Sequence, residues 1–112
     1  MDPLRRTLLY DFYGELLTGK QRDYYDLHYN DDLSLQEIAE QYGTSRQAVW
    51  DIIRRAEQTL LETEEKTGLI ARHLRARAAA EKIAALAEKL PESPEKREIL
   101  AIASELAGDT LL

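Results

Sequence analysis

LSLQEIAEQYGTSRQAVWDIIRRAEQTLL, residues 33–61, carries two helical patterns with a tight turn between them. Ser34 stands ahead of an apolar-periodic run, and Glu37 follows it by three positions. That is a capping box: the serine hydroxyl accepts from a free amide of the first turn, and the glutamate accepts from the cap's own amide. Leu35, Ile38, Ala39 and Tyr42 then recur at helical spacing. Gly43 ends the run, because glycine enters the left-handed conformation without a Cβ clash. After Thr44, Ser45 caps a second helix whose apolar residues are Val49, Ile52, Ile53, Ala56 and Leu60.

The layout predicts a helix-turn-helix. Ala39 is small where two helices must cross closely, and Ile38, Val49 and Ile52 are placed to close the wedge between them. The second helix turns Arg46, Gln47, Trp50, Asp51 and Arg54 outward, and in a DNA reader that face enters the major groove. Ser45, Arg46, Gln47, Trp50, Arg54 and Arg55 are therefore the candidate nucleic-acid-binding residues. An ordinary helical hairpin is the competing reading. The small crossing residue, glycine turn and capped second helix together favour the motif.

Composition limits what such a motif can do. At 112 residues, 44% hydrophobic and 32% charged, the chain suits one soluble domain with a modest core and an added tail. It has no Cys, hence no disulfide and no thiolate nucleophile or metal site, which fits a cytoplasmic protein. No apolar stretch approaches the roughly 20 residues of a membrane span, and no apolar run near Arg5 and Arg6 suits a signal peptide. The net charge is −6, and it is unevenly placed. Residues 1–66 hold eight Lys or Arg against fourteen Asp or Glu, whereas residues 67–112 hold seven of each. The acidic part repels a polyanion at long range, so contact with nucleic acid must be local, through Arg46, Arg54 and Arg55 or the stretch near Arg72.

On the N-terminal side, Asp2 and Pro3 suit a cap and first helical position. Leu4, Leu8, Leu9, Phe12, Tyr13, Leu16 and Leu17 form a stripe that predicts a helix over residues 3–17. Gly14 weakens that helix by about 1 kcal/mol relative to Ala, and close approach of another helix would explain it. Thr18 and Gln21 form a second capping box, and Tyr24, Tyr25, Leu27, His28 and Tyr29 follow before the turn residues Asn30, Asp31 and Asp32. Five of the six tyrosines fall in these two helices. They read as core rings with phenols at the rim rather than as a stacking platform for bases.

On the C-terminal side, the motif's second helix has two readings. Val49, Ile53, Ala56, Leu60, Thr63, Thr67, Ile70 and Leu74 keep a heptad spacing that one long helix could carry to a partner chain. The favoured reading ends the helix near Lys66, breaks at Gly68 and starts afresh at Leu69. Residues 69–90 are Ala-rich and helical, and Arg72, Arg75, Arg77 and Lys82 make their first half basic; a solvated face is the expected role rather than a binding patch. Pro91 and Pro94 break the chain, and Ser93 and Pro94 start a last helix. The stripes Ile83, Leu86, Ala87, Leu90 and Ile99, Ile102, Ala103, Leu106 either close on each other as a hairpin or dock on a neighbouring chain, so a homodimer is an expectation. Gly108 and Asp109 mark the end, with Leu111 and Leu112 expected to fray.

These residues carry a resemblance. LLYDFYGELLT, KQRDYYDLHYNDDLSLQEIAEQYGTSRQAVWDIIRR and the acidic TLLETEEK are similar to the YlxM family of small bacterial proteins, with DDLSLQEIAEQYGTSRQAVWD the most specific part. More broadly, the chain resembles region four of sigma factors. The likeness covers residues 4–66 and fades beyond, and residues 91–112 find no place in it. It implies an all-α, cytoplasmic helix-turn-helix bundle over residues 1–66, with residues 67–112 as a C-terminal helical extension. It also implies DNA binding and an accessory or regulatory role in the signal recognition particle pathway, with the particle's RNA or protein subunit as partner. Carried over, the sigma-like groove helix presents Arg46, Gln47, Trp50 and Arg54, with Ser45 near a phosphate. Trp50 and Asp51 depart from the basic or amide groups such a reader uses, and Asp51 suits duplex DNA only where it accepts from a cytosine amine.

Two functions follow. One is a nucleic-acid-binding regulator working through the second motif helix. The alternative is an acidic interaction module that docks on the particle's GTPase through Trp50, a residue type frequent among interface anchors. An enzyme is not expected: there is no Cys, the two His are far apart, and no Gly-rich phosphate loop, catalytic set, metal set or cofactor motif is present.

Overall fold

The computed structural model describes residues 1–108, and within them the chain forms six α-helices and no strand. The all-α expectation holds. The expected end at Asp109, and the fraying of Leu111 and Leu112, fall outside the described residues. The chain divides into two compact units that meet at residues 67 and 68.

The first unit contains α1 (Pro3–Tyr13), α2 (Gly19–Tyr29), α3 (Leu35–Tyr42) and α4 (Arg46–Thr67). Asp2 caps α1 and Pro3 opens it, as expected. The α-helix stops at Tyr13 rather than running to residue 17, because the chain tightens into a 3-10 turn, Gly14–Leu16. A Cβ on Gly14 would rest against the Tyr10 ring at 3.5 Å, so no approaching helix explains that glycine. Both capping boxes form. Thr18 Oγ1 accepts from the Gln21 amide at 3.2 Å, and Ser34 Oγ accepts from the Glu37 amide at 3.0 Å. The returning Glu37 carboxylate accepts from the Ser34 amide at 2.9 Å, and hydrogen bonding from the Ser34 amide, then from its hydroxyl, holds the Glu37 pKa below the usual carboxylate range.

Helix α4 is the spine of this unit, and α1, α2 and α3 all pack on it. Its inner face is Val49, Ile53, Ala56 and Leu60, all fully buried. Opposite them lie Leu9, Tyr13, Tyr24, Tyr25, Ile38 and Ala39. Tyr13, Tyr24 and Tyr25 are core residues, as the sequence implied, whereas Tyr10 and Tyr29 are half-buried at the rim and Tyr42 is exposed. Tyr25 stacks parallel to Tyr10 at 5.6 Å, and Tyr24 meets Tyr42 edge-on at 4.9 Å. Their hydroxyls find partners across long sequence separations. The Tyr13 hydroxyl donates to the buried Glu64 carboxylate at 2.6 Å, and the Tyr25 hydroxyl donates to Glu57 at 3.2 Å. Arg6 joins Glu57 at 3.0 Å and lies 4.0 Å over the Tyr29 ring. A buried hydroxyl needs such an acceptor, since an unmade hydrogen bond costs about 1–3 kcal/mol. His28 braces the α2–α3 turn, with Nδ1 2.8 Å from the Leu33 carbonyl.

The second unit begins at Gly68, which takes the left-handed φ of 63° and separates α4 from α5 (Leu69–Ala87). The break occurs and the single long helix does not. Helix α6 (Pro94–Gly108) packs on α5, and the short connection makes the pair an antiparallel hairpin. Lys96 closes the connection, donating from Nζ to the carbonyls of Glu88 and Leu90. Of the two stripes only the alanines, Ala87 and Ala103, are buried, and Ala80, further back on α5, is buried with them. The larger members, Ile83, Leu86, Leu90, Ile99, Ile102 and Leu106, are 38–57% exposed. Small side chains let two helices approach closely, which leaves no room between them for the branched residues.

Candidate nucleic-acid interface

The candidate interface is built on the α3–α4 turn. Gly43 sits at φ 65° and ψ 38°, and both its amide and that of Thr44 bond the Ala39 carbonyl. Such a left-handed cap satisfies carbonyls that a helix end would otherwise leave open. Ser45 Oγ then accepts from the Ala48 amide at 3.1 Å and starts α4. The chain thus reverses within Gly43, Thr44 and Ser45. Ala39 and Ile38 of α3 are buried, as are Val49 and Ile53 of α4. Ile53 completes this core rather than Ile52, which is only half-buried. The two are adjacent, and the crossing of α3 over α4, which periodicity does not report, decides between them.

The opposite side of α4 is exposed. Arg46, Trp50 and Arg54 stand four residues apart along one stripe, with Gln47 beside them; Trp50 is 37% exposed. Ser45 lies at the helix start, where its hydroxyl is occupied by the cap. Arg55 is exposed one position further round, off the stripe. Between α3 and α4 there is a shallow depression of about 370 Å³, lined by Leu35, Arg46, Gln47 and Trp50. Arg46 and Arg55 make no ion pair among the described residues.

Asp51 changes how this face reads. It accepts from Gln47 Nε2 at 3.0 Å and lies 3.7 Å from an Arg54 guanidinium nitrogen. Two of the six candidate side chains are therefore engaged by one carboxylate on the same helix. Surface pairs of this kind are worth only about 0.2–1 kcal/mol, so a stronger acceptor such as a phosphate can displace them. The i, i+4 and i, i+3 spacings from Asp51 were legible in the sequence as helix-surface neighbours. Sequence reasoning missed the Arg6, Glu57, Tyr25 and Tyr29 cluster, because its members lie up to 51 residues apart.

Among the described residues no group of three or more His, Cys, Asp or Glu is placed to hold a metal ion. No described helix is long and apolar enough to cross a membrane.

A left-handed glycine turn, a serine-capped second helix buried on one side and an open outer face define a helix-turn-helix protein, a non-enzymatic class. The chain belongs to the UPF0122 family, whose family model, "Putative helix-turn-helix protein, YlxM / p13 like", matches residues 2–100. A UPF0122 protein of Thermoanaerobacter sp. (strain X514) is 46% identical over 108 residues, covering 96% of this chain and 92% of the relative. One from Halalkalibacterium halodurans is 45% identical over 112 aligned residues, covering 96% and 94%. One from Geobacillus kaustophilus is 55% identical over 80 residues, covering 71% and 73%. The similarity reaches well past residue 66 and into residues 91–112, further than the motifs alone indicated. The α5–α6 hairpin is simple in composition, and its alanines and leucines carry little local signature.

Proposed function

We propose that this protein binds nucleic acid through the outer face of α4 and serves as an accessory of the signal recognition particle pathway, in the cytoplasm. In this reading residues 1–66 are the binding domain and residues 67–112 a helical extension. The observation that carries it is the exposed stripe of Arg46, Trp50 and Arg54, with Gln47 beside it, on a helix whose other side is sealed into the core. Arg46, Arg54 and Arg55 meet backbone phosphates, Ser45 lies near one, and Gln47 and Trp50 meet base edges or unstacked bases. The resemblance to YlxM proteins supports the pathway, and that to sigma region four supports the groove helix. The test is fluorescence anisotropy with a promoter-sized duplex and with the particle's RNA, at low and at moderate salt. Binding that falls with salt, and that Arg46→Ala and Arg54→Ala each weaken about fivefold to tenfold, is the expected result. No binding to either nucleic acid at low salt would refute it.

A second reading is favoured by the depression beside Trp50 and by the acidic charge of residues 1–66. There the same face takes a protruding side chain from the particle's protein subunit or GTPase. Capture of that subunit, lost in Trp50→Ala while nucleic-acid binding is absent, would select this reading.

A further inference from the structure

The α5–α6 hairpin keeps its large apolar residues outside. Ile83 and Leu86 lie on α5, and Leu90 follows in the turn just after it, seven residues from Ile83; Ile99 and Leu106 are seven apart on α6, with Ile102 between them. In each helix the buried alanine comes one position after the exposed stripe: Ala87 after Leu86, and Ala103 after Ile102. The offset from the seam therefore has the same sense in both helices. Because the helices run antiparallel, both stripes emerge on one side of the hairpin. Six Ile and Leu side chains, each about half exposed, offer on the order of 500 Å² of apolar surface, the upper range for the largest patch of a soluble monomer.

The rims of this face carry opposite charges. On the α5 side the positions before Ala76, Ile83 and Leu90 are basic: Arg75 and Lys82 on the helix, and Lys89 in the turn after it. The same position on α6 is acidic: Glu98 and Glu105. All five are exposed and none makes an ion pair among the described residues.

We propose that this face pairs with the same face of a second copy of the chain, forming a four-helix bundle in which α5 of each copy lies against α6 of the other. A two-fold axis parallel to the helices sets the basic rim of α5 beside the acidic rim of the partner's α6, on both edges at once. A two-fold axis across the helices would instead set basic against basic and acidic against acidic, so charge selects the first arrangement. Two faces together bury on the order of 1,000 Å², the threshold for a specific interface. Residues 67–112 hold seven cations and seven anions, so no net repulsion opposes the pairing. This pairing is independent of what α4 binds.

The test is sedimentation velocity on the full chain from micromolar to millimolar concentration. The expected mass is twice the 12.8 kDa of one chain. Ile102→Glu places a carboxylate in the interface and is expected to give a helical monomer. Should that variant unfold the hairpin, the charge variants decide, since they change exposed side chains only. Lys82→Glu with Lys89→Glu is expected to raise the dimer dissociation constant about tenfold or more, and adding Glu98→Lys with Glu105→Lys to restore it. A wild-type monomer at millimolar concentration overturns the pairing. A dimer indifferent to Lys82→Glu with Lys89→Glu, or one that the four-fold swap does not restore, overturns the arrangement.

Discussion

The geometry of the α3–α4 turn rests on one backbone conformation, and glycine substitutions in the same unit isolate its worth. Gly43 has φ 65°, and a Cβ built on it meets nothing within 4 Å. Gly43→Ala therefore carries no steric cost, only the strain of an L side chain in the left-handed region, about 1–2 kcal/mol. Gly19, the first residue of α2, also has open space around a Cβ, and its φ is not left-handed. Gly19→Ala narrows the unfolded ensemble and should stabilise by about 0.4–1 kcal/mol. The two substitutions are chemically identical, so their difference, about 2 kcal/mol, reports the backbone alone. In a unit of this size that corresponds to melting temperatures on the order of 10 °C apart. Trp50 is the chain's single tryptophan and lies on α4, so its fluorescence during urea or thermal unfolding follows this unit and not the α5–α6 hairpin. Gly43→Asn should fall between the two, because Asn tolerates the left-handed region better than Ala. Equal shifts of the same sign for Gly43→Ala and Gly19→Ala would refute the left-handed turn, and with it the placement of the α4 outer face.

Asp51→Asn removes the carboxylate that occupies Gln47 and Arg54, so nucleic-acid affinity at low salt should rise about threefold to tenfold; unchanged or weaker binding in an anisotropy titration would mean that Asp51 contacts the ligand itself. Tyr25 should be the late-titrating phenol in an ultraviolet pH titration, because burial and then the Glu57 carboxylate push its pKa well above that of a free phenol. A folded-state value raised above the unfolded one adds stability that is whole below the ordinary phenol range and is lost as the pH climbs through and beyond it. Alkaline unfolding should accordingly be less steep in Tyr25→Phe. Glu57→Ala takes the shared acceptor from both Arg6 and Tyr25 and should cost about 2 kcal/mol in urea unfolding, between the values for exposed and fully buried pairs.

Much of the fold was legible because its signals are local. Capping boxes act over three positions, a left-handed glycine over five, and a proline on its neighbour, so Ser34, Gly43, Gly68 and Pro94 announce helix ends without any tertiary contact. The exposed set at Arg46, Gln47, Trp50 and Arg54 was legible for a related reason, since helical periodicity assigns an outer face once the inner one is apolar. Periodicity resolves a face only to within a residue, and that is why Ile52 was expected where Ile53 packs.

By itself, then, the chain determined where helices start and stop, and which side of α4 is polar. Only the tertiary structure decided that Arg6, Tyr25 and Tyr29 gather on Glu57, since ring and charge contacts between helices depend on crossing angles that no short window encodes. It also decided that α5 and α6 meet through alanine and leave Ile83, Leu86, Ile99 and Ile102 outside. An apolar stripe states that a helix must be covered, and close packing of the smallest side chains determines which part of the stripe is.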